Sequence, residues 1–141
     1  MSSLKLKYDE AITTLTQAGA PFEIGSTNID GFDFRTYANA PKTMLDLYQQ
    51  ARQFGEKDFL VYEGERWSYD KLFAHADNLA HVLVNEYQVK KGDRVAIAMR
   101  NYPEWMSAYI AITSIGAVAV LLNSWWAASE LEFGLEDCGA Q

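Results

Sequence analysis

The stretch that decides the fold is Lys91–Gln141, KGDRVAIAMRNYPEWMSAYIAITSIGAVAVLLNSWWAASELEFGLEDCGAQ. Two short apolar runs, Arg94–Met99 and Ala117–Leu122, flank a segment that opens on Pro103. Each run is rich in valine, isoleucine, leucine and alanine and carries turn residues at its ends, as a strand buried on both faces does. Proline suits the first turn of a helix, where its missing N–H costs nothing, so a helix is expected from Pro103 to about Ile115. Strands joined by a helix run parallel, in a right-handed βαβ unit. Lys91-Gly92-Asp93 forms the turn before the first strand. Ser129 and Glu132 have the spacing of a capping box, which predicts a last helix starting there. The run reads strand, helix, strand, helix, with the next strand missing.

Working backwards, Leu72, Phe73, Ala76, Leu79, Ala80, Leu83 and Val84 recur at helical spacing over 69–86. Ser68 stands at the N-cap position of that helix, with Asp70 where the helix dipole favours an anion. This helix is expected to cover the same parallel layer. Phe59–Tyr62 and Arg66–Tyr69 alternate around Glu63-Gly64-Glu65 and predict a β-hairpin. Thr43 and Asp46 predict a capped helix carrying Leu45, Leu47, Tyr48, Ala51 and Phe54 and closed by Gly55. Gly25–Pro41 is punctuated by Gly, Asn, Asp and Pro, and FDFRTY (32–37) is its only strand-like patch. A first helix places Tyr8, Ala11, Ile12, Leu15 and Ala18 on one face, before Gly19. The expected class is α/β: a partial parallel βαβ sheet flanked by helices, with a preceding β-hairpin and an irregular N-terminal arm. The expected division is an arm with two helices over 1–55 and a truncated α/β subdomain over 56–141.

Composition narrows the function. The chain has 141 residues, 49% of them hydrophobic and 13% aromatic, which suits one folded core rather than disorder. Its net charge is -7, and its only basic doublet, Lys90-Lys91, is followed at once by Asp93. A nucleic-acid face needs clustered cations, so none is expected. A single cysteine, Cys138, rules out an internal disulfide and suits a reducing, cytoplasmic setting. The segment Trp105–Leu122 is uncharged over 18 residues, long enough to raise a membrane helix as an alternative. Gly116 splits it into a helix-like and a β-rich half, which favours a buried helix and strand with no membrane span.

Candidate chemistry is sparse. There is no GxGxxG and no phosphate-binding P-loop pattern, because the first strand runs into Arg100-Asn101-Tyr102-Pro103. Arg100-Asn101 sits at the carboxyl end of a parallel strand, where ligands bind in open α/β sheets. The competing expectation is that Asn101 caps the helix near Pro103. His75 and His81, six apart on one helix, fall on different faces and cannot share a metal. Cys138 has no nearby histidine in the sequence and is expected to be a small packed thiol. Trp125-Trp126 is either packing at the strand exit or contact with another part of a larger enzyme or a second subunit. Adjacent residues on an extended segment point apart, so both are not expected to be buried by this chain alone. No catalytic, cofactor-binding or metal residue is assigned.

GERWSYDKLFAHADNLAHVL, KKGDRVAIAMRNYPEW and IGAVAVLLNSWWAASELEFGLEDCGAQ together resemble the AMP-forming acyl-CoA synthetases of the adenylate-forming superfamily. The resemblance runs in order over about residues 43–141. AGAPFEI, FRTYANAPKTMLDLY, FLVYEGERWSY and NSWW look like the fatty-acid–CoA ligase branch. One departure is Leu121, where the family usually has proline before Leu-Asn. The resemblance implies a parent enzyme in which a carboxylate attacks the α-phosphate of Mg·ATP, and coenzyme A then displaces AMP from the acyl-adenylate. The family's phosphate loop, adenosine motif, ribose-binding Asp and C-terminal lysine map to no residue here. ATP, Mg and coenzyme A are thus expected for the parent and no cofactor for this stretch. The expected partners are the remainder of the parent chain and a fatty or other carboxylic acid. Self-association through the unfinished sheet edge is a further expectation. The alternative is a stand-alone interaction or acyl-binding module derived from that family.

Overall fold

The computed structural model describes residues 3–140. Its contacts divide the chain into two units, Met1–Lys42 and Thr43–Gln141. The first holds helix α1 (Ser3–Thr16) and two antiparallel strands, β1 (Ile24–Ile29) and β2 (Phe32–Tyr37). FDFRTY is β2, as expected, but Ile24–Ile29 is not irregular: it pairs with β2 in register from Ile24↔Tyr37 to Ile29↔Phe32. The cause is the two-residue turn Asp30-Gly31, at φ 50° and 87°. Two positive φ values in succession match the twist of a tight hairpin, and Asp-Gly adopts them readily. Thr27 and Thr36 hydroxyls meet across the ladder at 3.1 Å, and Asn28 Nδ2 donates to Asp33 Oδ1 at 2.8 Å.

The second unit begins with the Thr43 cap. Thr43 Oγ1 accepts from the Asp46 N–H at 3.1 Å, and Asp46 Oδ2 accepts from the Thr43 N–H at 3.0 Å. This reciprocal box opens α2 (Met44–Arg52). Helix α2 packs on helices of the second unit: Tyr48 is buried, and its hydroxyl meets Thr113 Oγ1 at 2.8 Å. The predicted hairpin forms from β3 (Asp58–Tyr62) and β4 (Glu65–Ser68), turning on Glu63 and Gly64. Ser68 Oγ accepts from the Lys71 N–H at 3.1 Å and caps α3 (Tyr69–Asn85).

The deciding stretch folds as β5 (Arg94–Ile97), α4 (Pro103–Ser114), β6 (Val118–Leu121) and α5 (Ala128–Cys138). β5 and β6 pair in parallel, from Arg94↔Val118 to Ile97↔Leu121. The expected α/β class is what forms, with three separate two-stranded sheets rather than one continuous one. The strands are shorter than the apolar runs that contain them, because Ala98 and Met99 already leave the ladder. Leu122 N–H donates to Ile97 O at 3.0 Å. By strand alternation the Leu121 N–H faces the opposite edge, so a proline there would remove no bond of this pair.

Two cap predictions shift. The last helix starts at Ala128, not at Ser129's successor: Ala127 is the N-cap, and Glu130 Oε2 accepts its N–H at 2.7 Å. Alanine has no hydroxyl, so only the carboxylate half of a capping box operates. Asn101 does not cap α4 either. With Pro103 as the first helical residue, Tyr102 becomes the N-cap, and no side chain caps the helix.

Two buried clusters hold the second unit. Trp67, Leu72, Phe73, Ala76, Ile110 and Ala111, with Tyr48, join α2, β4, α3 and α4. Leu72 is 0% exposed, a burial that stabilises by roughly 1.5–3 kcal/mol. Ile97, Ile112 and Ala117 anchor the parallel pair beneath α4. Among the described residues, no helix is long and apolar enough to cross a membrane. The uncharged Trp105–Leu122 segment is instead most of α4, a turn at Gly116 (φ 77°) and β6.

Candidate functional site

The parallel pair positions one open cleft at the carboxyl ends of its strands. It measures about 470 Å³ and is lined by the loops after β5 and β6, among them Arg100, Asn101, Asn123, Ser124 and Trp125. This is the place where open α/β sheets hold ligands. The Arg100 guanidinium carbon lies 3.9 Å from the Trp125 ring centroid, in cation–π contact. That contact ties the two loops together. The Arg100 O accepts the Tyr102 N–H at 2.7 Å, which folds the chain sharply into α4. On the other loop Asn123 Oδ1 accepts the Trp125 N–H at 3.0 Å, and Asn123 O accepts the Trp126 N–H at 3.1 Å.

Arg100, Asn101 and Trp125 therefore line one cleft, while Trp126 lines a separate groove with Ser129, Glu130 and Phe133 of α5. The sequence did not show that they meet. The signal available was that each pair follows the carboxyl end of a strand, and parallel strands bring those ends side by side. Asn123 was not singled out, although an asparagine two residues before the exposed Trp125 is a common turn-former. Trp125 is 74% exposed and Trp126 37% exposed, so neither is buried by the described residues. Trp126 lies against α5, where a Cβ built on Gly134 would come within 2.8 Å of its ring.

The remaining candidates lie elsewhere. His75 packs its ring against Trp67, centroids 4.7 Å apart, while His81 Nδ1 faces the Asn85 amide at 3.1 Å. They point apart, as their spacing required. Cys138 is half-buried, with Sγ 3.5 Å from Leu135 O. Beside the cleft, Tyr62 meets Tyr102 edge to face at 5.6 Å. Desolvation raises its hydroxyl above the ordinary range, with Glu63, Tyr102 and Glu104 adding to the rise and Arg100 opposing it.

The geometry offers a cation, amide side chains and an aromatic ring, but no phosphate cradle. The loop after β5 carries no glycine, and no three metal-ligating side chains converge among the described residues. The residues present do not fit a magnesium–nucleotide centre, and no chemical step is assigned to them.

Comparison with known proteins agrees with the fold. The family model for AMP-binding enzymes matches residues 47–141. Human long-chain fatty acid transport protein 6 is 31% identical over 98 residues, covering 69% of this chain and 16% of its own. The acyl-CoA ligase sidI of Aspergillus fumigatus is 36% identical over 96 residues, covering 65% and 16%. The N-terminal subdomain of NpsA from Klebsiella oxytoca, solved with 3-hydroxyanthranilyl-AMSN, superposes with a TM-score of 0.66 at 31% identity, over 71% of this chain and 26% of that one. The chain thus spans about 16% of the length of these curated relatives. With the greater part of α2, both later sheets and α3, α4 and α5 inside the matched residues, the chain belongs to the family of AMP-binding enzymes.

Proposed function

We propose that this chain forms the first part of the large N-terminal domain of an ATP-dependent ligase. The whole enzyme would join a carboxylic acid to AMP and pass the acyl group to coenzyme A. The observation that carries this reading is the family match across 47–141, supported by the superposition on the NpsA N-terminal subdomain. The names of two relatives, a long-chain fatty acid transport protein and an acyl-CoA ligase, favour an aliphatic acid. In such an enzyme this segment is structural. It supplies the β5–α4–β6 scaffold, while ATP, magnesium and coenzyme A are held by the rest of the polypeptide. The proposed division is an arm over 1–55 and a truncated α/β subdomain over 56–141. At least one of Trp125 and Trp126 is proposed to contact another part of the parent enzyme. A single thiol without a disulfide partner suits a reducing compartment, and the cytoplasm is the proposed location.

Fatty-acid-dependent exchange of pyrophosphate into ATP tests this reading. It is run on this chain beside the product of its uninterrupted reading frame. Exchange in the longer product alone is expected. Exchange in neither, with a frame that closes at Gln141, would instead favour an interaction module derived from the family.

A further inference from the structure

The first unit keeps few of its apolar groups from water. Among its described residues Ala20 alone is buried. Ile29, Phe32 and Phe34 share one face of the hairpin and are exposed, Phe32 by 70%. A unit this small commonly needs a disulfide, a metal or a partner subunit, and a lone two-stranded hairpin is marginal in water. Residues 1–42 hold no cysteine, and no metal-ligating cluster occurs among the described residues. The hairpin also lies outside residues 47–141, so it is an addition to the part that the family model describes. The outer edge of β2 is open. Ala38 N–H donates to Glu23 O at 2.8 Å, which shows that the even-numbered peptides of this strand face β1. Alternation turns Asp33 and Arg35 outward, and among the described residues neither peptide has a further backbone partner.

The geometry points to a second copy of this chain as the occupant of that edge, with the two β2 strands antiparallel about a two-fold axis at Phe34. The edge charges select this arrangement, because Asp33 and Arg35 stand two residues apart with opposite sign. With the axis at Phe34, each Asp33 falls opposite Arg35 of the second copy, at a position where the two residues exchange both peptide hydrogen bonds. Among the described residues Arg35 has no ion pair of its own. Asp33 takes one amide hydrogen bond from Asn28 and keeps lone pairs free for a cation. The two Phe34 side chains meet on the other face, at the non-hydrogen-bonded position where side chains come closest. Neighbouring registers fail. An axis at Arg35 or at Asp33 sets like charges opposite one another, and an axis between residues sets outward peptides against inward ones. Charges that guard a strand edge against strangers therefore admit its own copy. The outer edge of β1 presents Ile24, Ser26 and Asn28, with no charge to fix a register. Two paired hairpins make a four-stranded sheet, past the size at which a sheet with an apolar face stands alone.

Sedimentation equilibrium on the product of the uninterrupted reading frame tests this with charge-reversal variants. The unaltered protein should be a dimer. Asp33→Lys alone and Arg35→Glu alone each set like charges opposite one another and should weaken the dimer by about tenfold or more. An equimolar mixture of the two variants restores both opposite-charge pairs and should dimerise as the unaltered protein does. The double variant Asp33→Lys/Arg35→Glu should do the same. Recovery of that kind excludes a hairpin that merely failed to fold. An unaltered protein that stays monomeric as concentration rises would overturn the inference. A dimer indifferent to both single reversals would place the interface elsewhere and overturn it too, as would losses that mixing does not recover. Amide exchange identifies the occupant: the Asp33 and Arg35 amides should slow as the dimer forms. Slow exchange at both in the monomer would mean that another segment of the same polypeptide holds the edge, and a second copy does not. Neither readout needs turnover, so failure of the proposed activity would leave the dimer edge standing.

Discussion

Arg100 and Trp125 lie 25 residues apart in the chain and stack at 3.9 Å, guanidinium over indole. Their contact exists because β5 and β6 are parallel and end side by side. Trp125 is largely exposed, so the pair keeps water on its outer face and its worth is modest. Arg100→Ala should cost about 0.5–1 kcal/mol of stability, the usual range for an exposed cation–π pair. A double-mutant cycle with Trp125→Ala, read by urea unfolding, should return a coupling of that size. No coupling would mean the two loops are held by their backbone bonds alone.

The Thr43 box should be worth more than the serine that the sequence favoured at the last helix. Thr43→Ala removes the hydroxyl that accepts the Asp46 N–H, and should cost about 1 kcal/mol. Ser129→Ala should cost less than about 0.5 kcal/mol, because Ser129 lies inside α5 and caps nothing. Thermal melts of the two variants check the order. Equal losses would contradict the cap placement seen here.

Tyr48 makes alkaline stability a probe of the core. Its hydroxyl is buried against Thr113, and burial raises its pKa above the ordinary 10.0, with the Thr113 bond opposing and Tyr109 adding. The folded state therefore holds this proton more tightly than the unfolded chain does. Its contribution is complete below pH 10.0 and is lost as the pH rises through the raised folded value. Stability should be flat in this respect from neutral pH to about 9 and fall above 10. Tyr48→Phe should lose about 1 kcal/mol at neutral pH for the missing hydrogen bond and show a shallower alkaline fall. An alkaline fall as steep as in the parent would point to other tyrosines.

The hairpin of the first unit depends on Gly31 at φ 87°. Gly31→Ala forces a side chain into a region L-residues avoid and should destabilise β1–β2 by about 1 kcal/mol or more. The effect should appear as faster amide exchange across Asn28–Asp33. Space is not the cause, since no atom lies within 4 Å of a Cβ built there.

Much of the second unit was legible in the sequence, for physical reasons that vary by element. Leu72, Phe73 and Ala76 are buried as their spacing demanded, because a helix face that periodic has one way to pack. Pro103 marked the start of α4 correctly, and the same proline displaced Asn101 from the cap, since the N-cap must directly precede it. Strand β1 was missed because IGSTNI lacks alternating apolar residues. Its signal was the Asp30-Gly31 turn, which matters only once FDFRTY is paired with something. The last helix began early because Glu130 served as the carboxylate of a box that lacks a hydroxyl. At the cleft, Arg100 and Trp125 were each singled out, but their pairing is a property of strand register rather than of either residue.

The central claim is that this scaffold serves an enzyme that joins a carboxylate to AMP. The most direct measurement uses the product of the uninterrupted reading frame with ATP, magnesium, coenzyme A and a fatty acid labelled with heavy oxygen in its carboxyl group. Attack of the carboxylate on the α-phosphorus leaves one labelled oxygen in the AMP released when coenzyme A takes the acyl group. The account predicts that label in AMP. Label appearing in inorganic phosphate instead, with ADP as the nucleotide product, would contradict it.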